Sequence, residues 1–317
     1  MHSFAMYLKT YSGDYDRASN LVDSFNKYNR DDIYLYISAP ENELYLFKPF
    51  SRSNIIVISD ESFAKEYFAK MCHSGMDLGY INQQICKLTF YKTAVTQNYL
   101  CLDSDAVFIR YFYISDFMHD EDTPYTILVM DKDLSIERHY RPIFWVGRQA
   151  AIKKIYDFMG LNDRRLRACH GAQVLNAKVL ESLASDFMKP KALKYNDLLK
   201  ISPYEFSWYN VWFQKTQLVK EFAVEPFFKV LHVRQDYAFS RLKLLRQEDF
   251  AQAYVGLILN SKWTPKTPLN YKDPDSSLYR LHYKVVTGNN ILIKLYFKLA
   301  RRDLFFIIYC KIFGKKY

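Results

Sequence analysis

Two aspartates separated by one residue give the clearest chemical signal in this sequence. Asp103 and Asp105 directly follow the apolar run 98–102, which predicts a buried strand. Residues i and i+2 of an extended backbone point to the same side, so both carboxylates would project together. Paired carboxylate oxygens suit Mg²⁺ or Mn²⁺ shared with phosphate oxygens. The same pair could also end a strand and cap a turn, and the spacing alone leaves both interpretations open.

Other common catalytic and cofactor motifs are absent from the sequence. It contains no G-x-G, which excludes the dinucleotide fingerprint, and it lacks G-x-x-x-x-G-K-[ST], G-x-S-x-G and H-E-x-x-H. The five cysteines are scattered and form no C-x-x-C pair, so we expect neither a disulfide framework nor a thiolate zinc site. We therefore expect a protein of the reducing cytoplasm.

Strand and helix signals alternate along the chain. Patterns of period two or short apolar runs predict strands at 4–11, 33–37, 54–58, 98–102, 125–130, 144–147 and 227–233. Helical spacing is found at 16–28, 79–97, 150–159 and 177–187. Strands separated by helices predict an α/β fold, in which ligands bind beyond the carboxyl ends of the strands.

Six segments resemble a known family in their order along the chain. The run 99–117 (YLCLDSDAVFIRYFYISDF) resembles the D-x-D segment of GT-A glycosyltransferases and closely resembles the bacterial DUF6492 family. The other segments, over roughly residues 4–260, are YLKTYSGDYDRASNLVDSFNKYN, QQICKLTFYKT, TPYTILVMD, EFSWYNVW and EPFFKVLHVRQDY. The resemblance implies a GT-A-like, Rossmann-related mixed sheet flanked by helices, and transfer of a sugar from a nucleotide diphosphate.

The same resemblance implies roles for the aspartates and for one histidine. Asp103 would lie toward the nucleotide ribose, and Asp105 would be the firmer ligand of Mn²⁺ or Mg²⁺. His232, at the end of a predicted strand, is the candidate third ligand, ahead of His282 and His170. A hydrogen-bonded histidine at a strand end is the alternative for His232.

In the GT-A arrangement that the resemblance implies, the loop after the first strand holds the nucleoside. Thr10 and Tyr11 could contact the base, and Arg17 could contact a phosphate. An ordinary strand-to-helix turn, with Asp14 near the helix start, explains the same residues.

Gln83, Gln84 and Lys87 occupy adjacent turns of a predicted helix. Lys87 stands among apolar neighbours and needs an anionic partner, for which the donor diphosphate and Asp103 are the candidates. A lysine whose charged end reaches solvent is the alternative.

Glu205 is the candidate catalytic base, together with Asp105 as the second catalytic residue. It lies among four aromatic residues in 203–209 (PYEFSWY), where it could take the proton of an acceptor hydroxyl. Trp208 and Tyr209 could stack on sugar faces, and the loop 170–173 is a further acceptor-side candidate. A helix-capping acid in an aromatic core is the alternative for Glu205.

The positive charge is concentrated in the last residues. Lys and Arg number 44 against 34 acids, a net charge of +10, of which residues 289–317 contribute +6. A nucleic-acid binder would show its basic surface within the folded body, so no nucleic-acid partner is expected. We predict a glycosyltransferase domain at 1–262, a surface strap at 263–288 and a basic amphipathic tail at 289–317.

The tail predicts peripheral association with the inner face of the cell membrane. No run approaches the about 20 apolar residues that a spanning helix needs, and no secretory signal is visible. A terminal helix packed on the core is the alternative for the tail.

The leading prediction is a metal-dependent glycosyltransferase acting on a bacterial surface glycan: a lipopolysaccharide, capsule or lipid-linked acceptor. A metal-dependent phosphoesterase or nucleotidyltransferase is the first alternative, although such enzymes usually have a larger acidic or histidine cluster. A non-enzymatic membrane-surface adaptor is the second.

Overall fold

A computed structural model of the protein describes residues 2–72, 75–127, 146–162, 171–233, 236–237, 240, 243–261 and 277. The predicted tail lies outside these residues, as does the predicted strap apart from Ser277. His170 and His282 also lie outside them.

A five-stranded sheet forms the centre of the molecule. Its strands are β1 (His2–Lys9), β2 (Leu35–Ala39), β3 (Ile55–Ser59), β4 (Thr96–Leu102) and β6 (Gln173–Asn176). The strand order is β3-β2-β1-β4-β6, and β6 runs antiparallel to β4 while the other pairs are parallel. The expected mixed sheet is therefore confirmed.

The register of β1 and β4 places two loops side by side. These strands pair in parallel, with Leu8 opposite Leu102. Both strands are buried along most of their length, as expected for a sheet covered by helices. The residues that follow β1 and β4 therefore emerge next to each other at the carboxyl edge of the sheet.

A second sheet of three strands begins immediately after the aspartate pair. It contains β5 (Ala106–Phe108), β7 (Phe228–Leu231) and β8 (Gly256–Leu259), in the order β5-β8-β7. Strand β5 runs antiparallel to β8, whereas β7 runs parallel to it. The chain thus passes from one sheet to the other within the turn that holds Asp103 and Asp105.

Helices flank the central sheet. They are α1 (Tyr15–Tyr28), α2 (Leu44–Phe47), α3 (Glu61–Ala64), α4 (Leu78–Thr89), α5 (Val146–Met159), α6 (Ala177–Ser182), α7 (Tyr195–Ile201), α8 (Glu205–Thr216) and α9 (Gln247–Ala251). Helix α4 contacts β1, α7 and α8, and α8 also contacts α5 and α6. Among the described residues, none of these helices is long and apolar enough to cross a membrane.

Two predicted elements differ from the structure, and of the strand predicted at 125–130 the described residues hold only an isolated bridge at Thr126. The predicted strand at 144–147 is wrong where it is described, because Val146 and Gly147 begin α5. A short apolar run cannot by itself distinguish a strand from a helix turn. The predicted helix at 79–97 ends early, because Phe90–Thr93 form a 3₁₀ turn and β4 starts at Thr96.

We expect Gly256→Ala to destabilise the second sheet. A Cβ at Gly256 would lie 2.5 Å from the carbonyl oxygen of Val107 and 2.1 Å from the ring of Phe228. Overpacking of this kind costs about 1–3 kcal/mol in the free energy of unfolding. Urea unfolding of both proteins would measure the loss.

Gly147→Ala is the matched control, because the residue is helical and no described atom lies within 4 Å of the place that its Cβ would take. It should leave stability within about 1 kcal/mol of wild type or raise it. Equal effects of the two substitutions would contradict the close packing at Gly256.

Candidate functional site

The turn after β4 is held at both ends by backbone hydrogen bonds. The amide of Ala106 donates to the carbonyl of Asp103 at 3.0 Å, and the amide of Leu259 donates to the carbonyl of Asp105 at 3.0 Å. The first bond closes the turn, and the second joins it to β8. The two aspartates are therefore fixed where the central sheet ends and the second sheet begins.

Thr10 ties the loop after β1 to this turn. Ser104, between the two aspartates, donates its hydroxyl to the Thr10 hydroxyl at 3.1 Å, and both residues are buried. Tyr11 follows with 50% of its surface exposed. The loop thus has one anchored residue and one residue open to a ligand, as a nucleoside-binding loop would require.

The two carboxylate oxygens of Asp105 differ in their contacts. The amide of Ser261 donates to Oδ2 at 2.8 Å, whereas Oδ1 is buried and has no hydrogen-bond partner within the described part of the chain. Burial, followed by the negative charge of Asp103, raises the pKa of Asp105 to about 7. A buried anionic oxygen without such a partner is what a bound cation would satisfy, so this residue fits a divalent metal.

Arg17 acts on Asp105 through its charge. It pairs with Asp14 at the start of α1, and its charge lowers the pKa of Asp105 while that of Asp14 raises it. The charge of Asp14 is also the main cause of the raised pKa of Tyr11. Arg17, Asp14 and Tyr11 therefore share the electrostatic environment of the aspartate pair.

Lys87 lies between two carboxylates. Its Nζ atom is 2.7 Å from Asp103 Oδ1 and 2.8 Å from Glu205 Oε1, and its side chain is only 3% exposed. Burial alone would lower the pKa of Lys87, but the two carboxylates raise it well above its ordinary value. Lys87 is therefore charged, and Asp103, which the sequence suggested, and Glu205 are both its anionic partners.

Two glutamines of α4 support the same carboxylates. Gln83 donates its side-chain amide to Asp103 Oδ1 at 3.2 Å. The amide of Gln84, when its nitrogen faces Glu205, lies 2.7 Å from Oε1 and 2.6 Å from Oε2. Helix α4 thus presents its polar groups to the aspartate turn and to Glu205 at once, because residues i and i+4 share a helix face.

Glu205 is the first residue of α8 and is 6% exposed. Sequence reasoning identified its aromatic surroundings but missed its pairing with Lys87, which is 118 residues away. The need of a buried lysine for anionic partners was the available signal, and it pointed only to Asp103 or a phosphate. The role of Glu205 as a base stays a prediction.

Three residues that the sequence suggested for acceptor binding have buried side chains. Trp208 and Tyr209 are 0% exposed, so the expectation that they stack on sugars is wrong. Trp208 instead donates its indole N–H to the carbonyl of Ser202 at 2.9 Å, and the Tyr209 hydroxyl accepts from the amide of Asn176 at 3.0 Å. Gln173 is also buried, and its side chain bonds to that of Asn210.

His232 directly follows β7. Leu231 pairs with Leu259, whose amide donates to the carbonyl of Asp105. Asp105 and His232 therefore lie on either side of the end of β8. Two strand spacings separate such backbones by about 10 Å. Among the described residues, no three side chains of the His, Cys, Asp or Glu type form a metal-binding group. Metal binding by His232 stays a prediction.

Residues 4–147 match the model of a family described as "Family of unknown function (DUF6492)". The matched residues are less than half of the chain and include the β1 loop, α4 and the aspartate pair. The resemblance inferred from the sequence segments is confirmed for this part. A search of curated proteins finds no match.

Several solved glycosyltransferase structures are similar to this chain in fold. Mouse xyloside xylosyltransferase 1 in its apo form has a TM-score of 0.48 and 10% identity, over 84% of this chain and 99% of its own. The galactosyltransferase LgtC, in complex with donor and acceptor sugar analogues, has a TM-score of 0.44 and 14% identity, over 80% and 86%. Apo GlyE of Streptococcus pneumoniae TIGR4 has a TM-score of 0.42 and 11% identity, over 95% and 64%.

The raised pKa of Asp105 predicts a pH dependence of stability. Its folded-state pKa, about 7, lies above its ordinary 3.8, so the folded state binds more protons between these values. Stability of the metal-free protein should therefore fall as pH rises from about 4 to about 7. Asp105→Asn should remove this contribution.

Urea unfolding of wild type and Asp105→Asn in chelator, at several pH values in that window, measures the effect. The stability difference between the proteins should change in favour of the variant as pH rises. Curves that stay parallel across the window would show that Asp105 is ionised in the folded state throughout.

Proposed function

We propose that the protein is a metal-dependent glycosyltransferase that moves a sugar from a nucleotide-diphosphate donor to a surface-glycan acceptor. The observation that carries the proposal is the aspartate pair at the end of β4, in which Oδ1 of Asp105 is buried and has no partner among the described residues. A carboxylate in this state, beside a loop with an exposed aromatic ring, suits a metal-bound nucleotide diphosphate better than it suits a structural turn.

The donor would lie across the carboxyl edge of β1 and β4. Tyr11 is exposed enough to stack on a base, and Thr10 would fix the loop through its bond to Ser104. Arg17, whose positive charge acts on Asp105, would attract the phosphates. Asp103 would face the ribose. Lys87, which contacts Asp103, and Gln84, which contacts Glu205, would act on the donor indirectly by holding these carboxylates.

Asp105 and Asp103 would hold a divalent cation, with His232 as the candidate third ligand. Such an ion, when bound, neutralises the negative charge that develops on the departing diphosphate. The buried position of Asp105 means that its ionisation and metal binding favour each other. The chain therefore supplies an anionic site that is completed only when the metal and the donor are present.

In the transfer, the acceptor oxygen forms a bond to the anomeric carbon, and the bond from that carbon to the diphosphate breaks. The hydroxyl proton passes to a base, for which Glu205 is the candidate from the sequence. A lipopolysaccharide, capsule or lipid-linked glycan is the proposed acceptor class.

Asp105→Asn is expected to abolish turnover. Loss of the cation ligand removes several kcal/mol of transition-state stabilisation, which corresponds to about 100-fold or more in rate. Release of nucleotide from a panel of nucleotide sugars, with Mn²⁺ or with excess chelator, measures it.

Asp157→Asn is the matched control, since Asp157 is an exposed acid whose partner is Lys153, a residue four positions earlier in the same helix. It should behave as wild type. Full wild-type turnover in excess chelator would remove the metal from the mechanism, and full turnover of Asp105→Asn would remove this residue.

The membrane role proposed for residues 289–317 rests on the sequence alone, because they lie outside the described residues. Each cation near an anionic leaflet contributes about 1 kcal/mol, screened by salt. Full-length protein should therefore sediment with anionic vesicles more than a chain ending at Gly288, and less so at high salt. Equal sedimentation of the two proteins would contradict a docking tail.

A further inference from the structure

The charged group around Lys87 contains one more carboxylate than a simple ion pair. One ammonium group contacts two carboxylates, at 2.7 Å for Asp103 and 2.8 Å for Glu205. The side chains of Lys87 and Glu205 are 3% and 8% exposed, whereas that of Asp103 is 36% exposed. One carboxylate of this group is thus open toward the site, and the other is enclosed.

The enclosed carboxylate has contacts on both of its oxygens. Lys87 binds Oε1, and the amide of Gln84 reaches Oε1 and Oε2. A general base needs a lone pair directed at the proton that it takes. The contacts of Glu205 instead resemble those of a residue that holds other groups in place.

We infer that Glu205 is a positioning residue, whose carboxylate shares the charge of Lys87 so that Lys87 does not fully compensate the negative charge of Asp103, which can then attract a cation. The inference rests on the proposed metal-dependent transfer and deepens it, and it replaces the sequence-based assignment of Glu205 as the base. Lys87, Asp103 and Glu205 together carry one negative charge. Without the charge of Glu205, Lys87 would neutralise Asp103, and the aspartate pair would attract a cation less strongly.

The proposed role of Glu205 depends on the charge of Lys87. If Glu205 acts through Lys87, the effect of removing it must disappear when the charge of Lys87 is removed as well. In Lys87→Met/Glu205→Gln the three positions again carry one negative charge. Replacing a buried ion pair by neutral groups of similar volume is often tolerated, so this variant is expected to fold.

The test is a double-mutant cycle with Mn²⁺ as the probe and no donor present. Free Mn²⁺ is followed by electron paramagnetic resonance for wild type, Glu205→Gln, Lys87→Met and the double variant. Glu205→Gln should weaken Mn²⁺ binding by about 10–100-fold, the usual effect of losing a partner of a metal ligand. The double variant should bind Mn²⁺ at least about tenfold more tightly than Glu205→Gln.

The exposed acid variant Asp157→Asn is the control for loss of one negative charge elsewhere, and thermal unfolding of each protein checks the fold. Equal Mn²⁺ affinity of wild type and Glu205→Gln would overturn the inference and leave the proposed function in place. If wild type binds Mn²⁺ only when a nucleoside diphosphate is added, the cycle is run with that diphosphate present. Absence of Mn²⁺ binding by wild type at millimolar concentration, both alone and with a panel of nucleoside diphosphates, would instead overturn the metal site itself, and the inference with it.

Sugar transfer in the Lys87→Met background gives a second reading, which also serves if Glu205→Gln alone does not fold. A positioning role predicts that adding Glu205→Gln to Lys87→Met leaves or raises transfer. If Glu205 is the base, adding Glu205→Gln to Lys87→Met should abolish transfer while donor hydrolysis continues. This result would overturn the inference.

Discussion

The contact of Lys87 with two carboxylates is the interaction on which the site depends. It joins α4, the turn after β4 and the start of α8, three elements that are far apart in the chain. Removing a charge from water costs several kcal/mol, and breaking a buried pair leaves the other charge uncompensated. In the native protein the three elements must therefore come together so that each buried charge meets a partner of opposite sign. This requirement fixes the position of Asp103 relative to the helices behind it.

The parallel pairing of β1 and β4 determines what surrounds these charges. Because Leu8 lies opposite Leu102, the loops that follow the two strands meet, and Ser104 can bond to Thr10. The side chain of Ser104 is directed to the neighbouring loop and is buried there, between the two aspartates of the turn. The next residues leave the central sheet and pair with β8, which brings the amide of Ser261 to Asp105. The site is thus a consequence of the change of sheet at this turn.

Local patterns predicted most of the strands, and the place of the aspartate pair at a strand end, because the information for both lies within a few residues. The apolar run before Asp103 and the spacing of α1 are of this kind, and both elements occur where they were expected. The partner of Lys87 in α8 could not be predicted in the same way, because no local pattern encodes contact between residues 118 positions apart. The strand predicted at 144–147 failed for a related reason: a short apolar run occurs in helices as well as in strands, and Val146 is exposed at the start of α5.

Asp103 and Asp105 are two residues apart but have different electrostatic partners. Lys87 and Gln83 bind Asp103, so its charge is already compensated in part by the protein. Asp105 accepts a backbone amide on one oxygen, its other oxygen is buried without a partner among the described residues, and its pKa is raised by burial and by Asp103 itself. Its ionised form is therefore favoured only when a positive charge arrives. A cation that binds Asp105 would therefore compete with a proton near neutral pH. The contacts of Asp103 are thus supplied by the protein, whereas under the proposed function the buried Oδ1 oxygen of Asp105 would be satisfied by the bound cation.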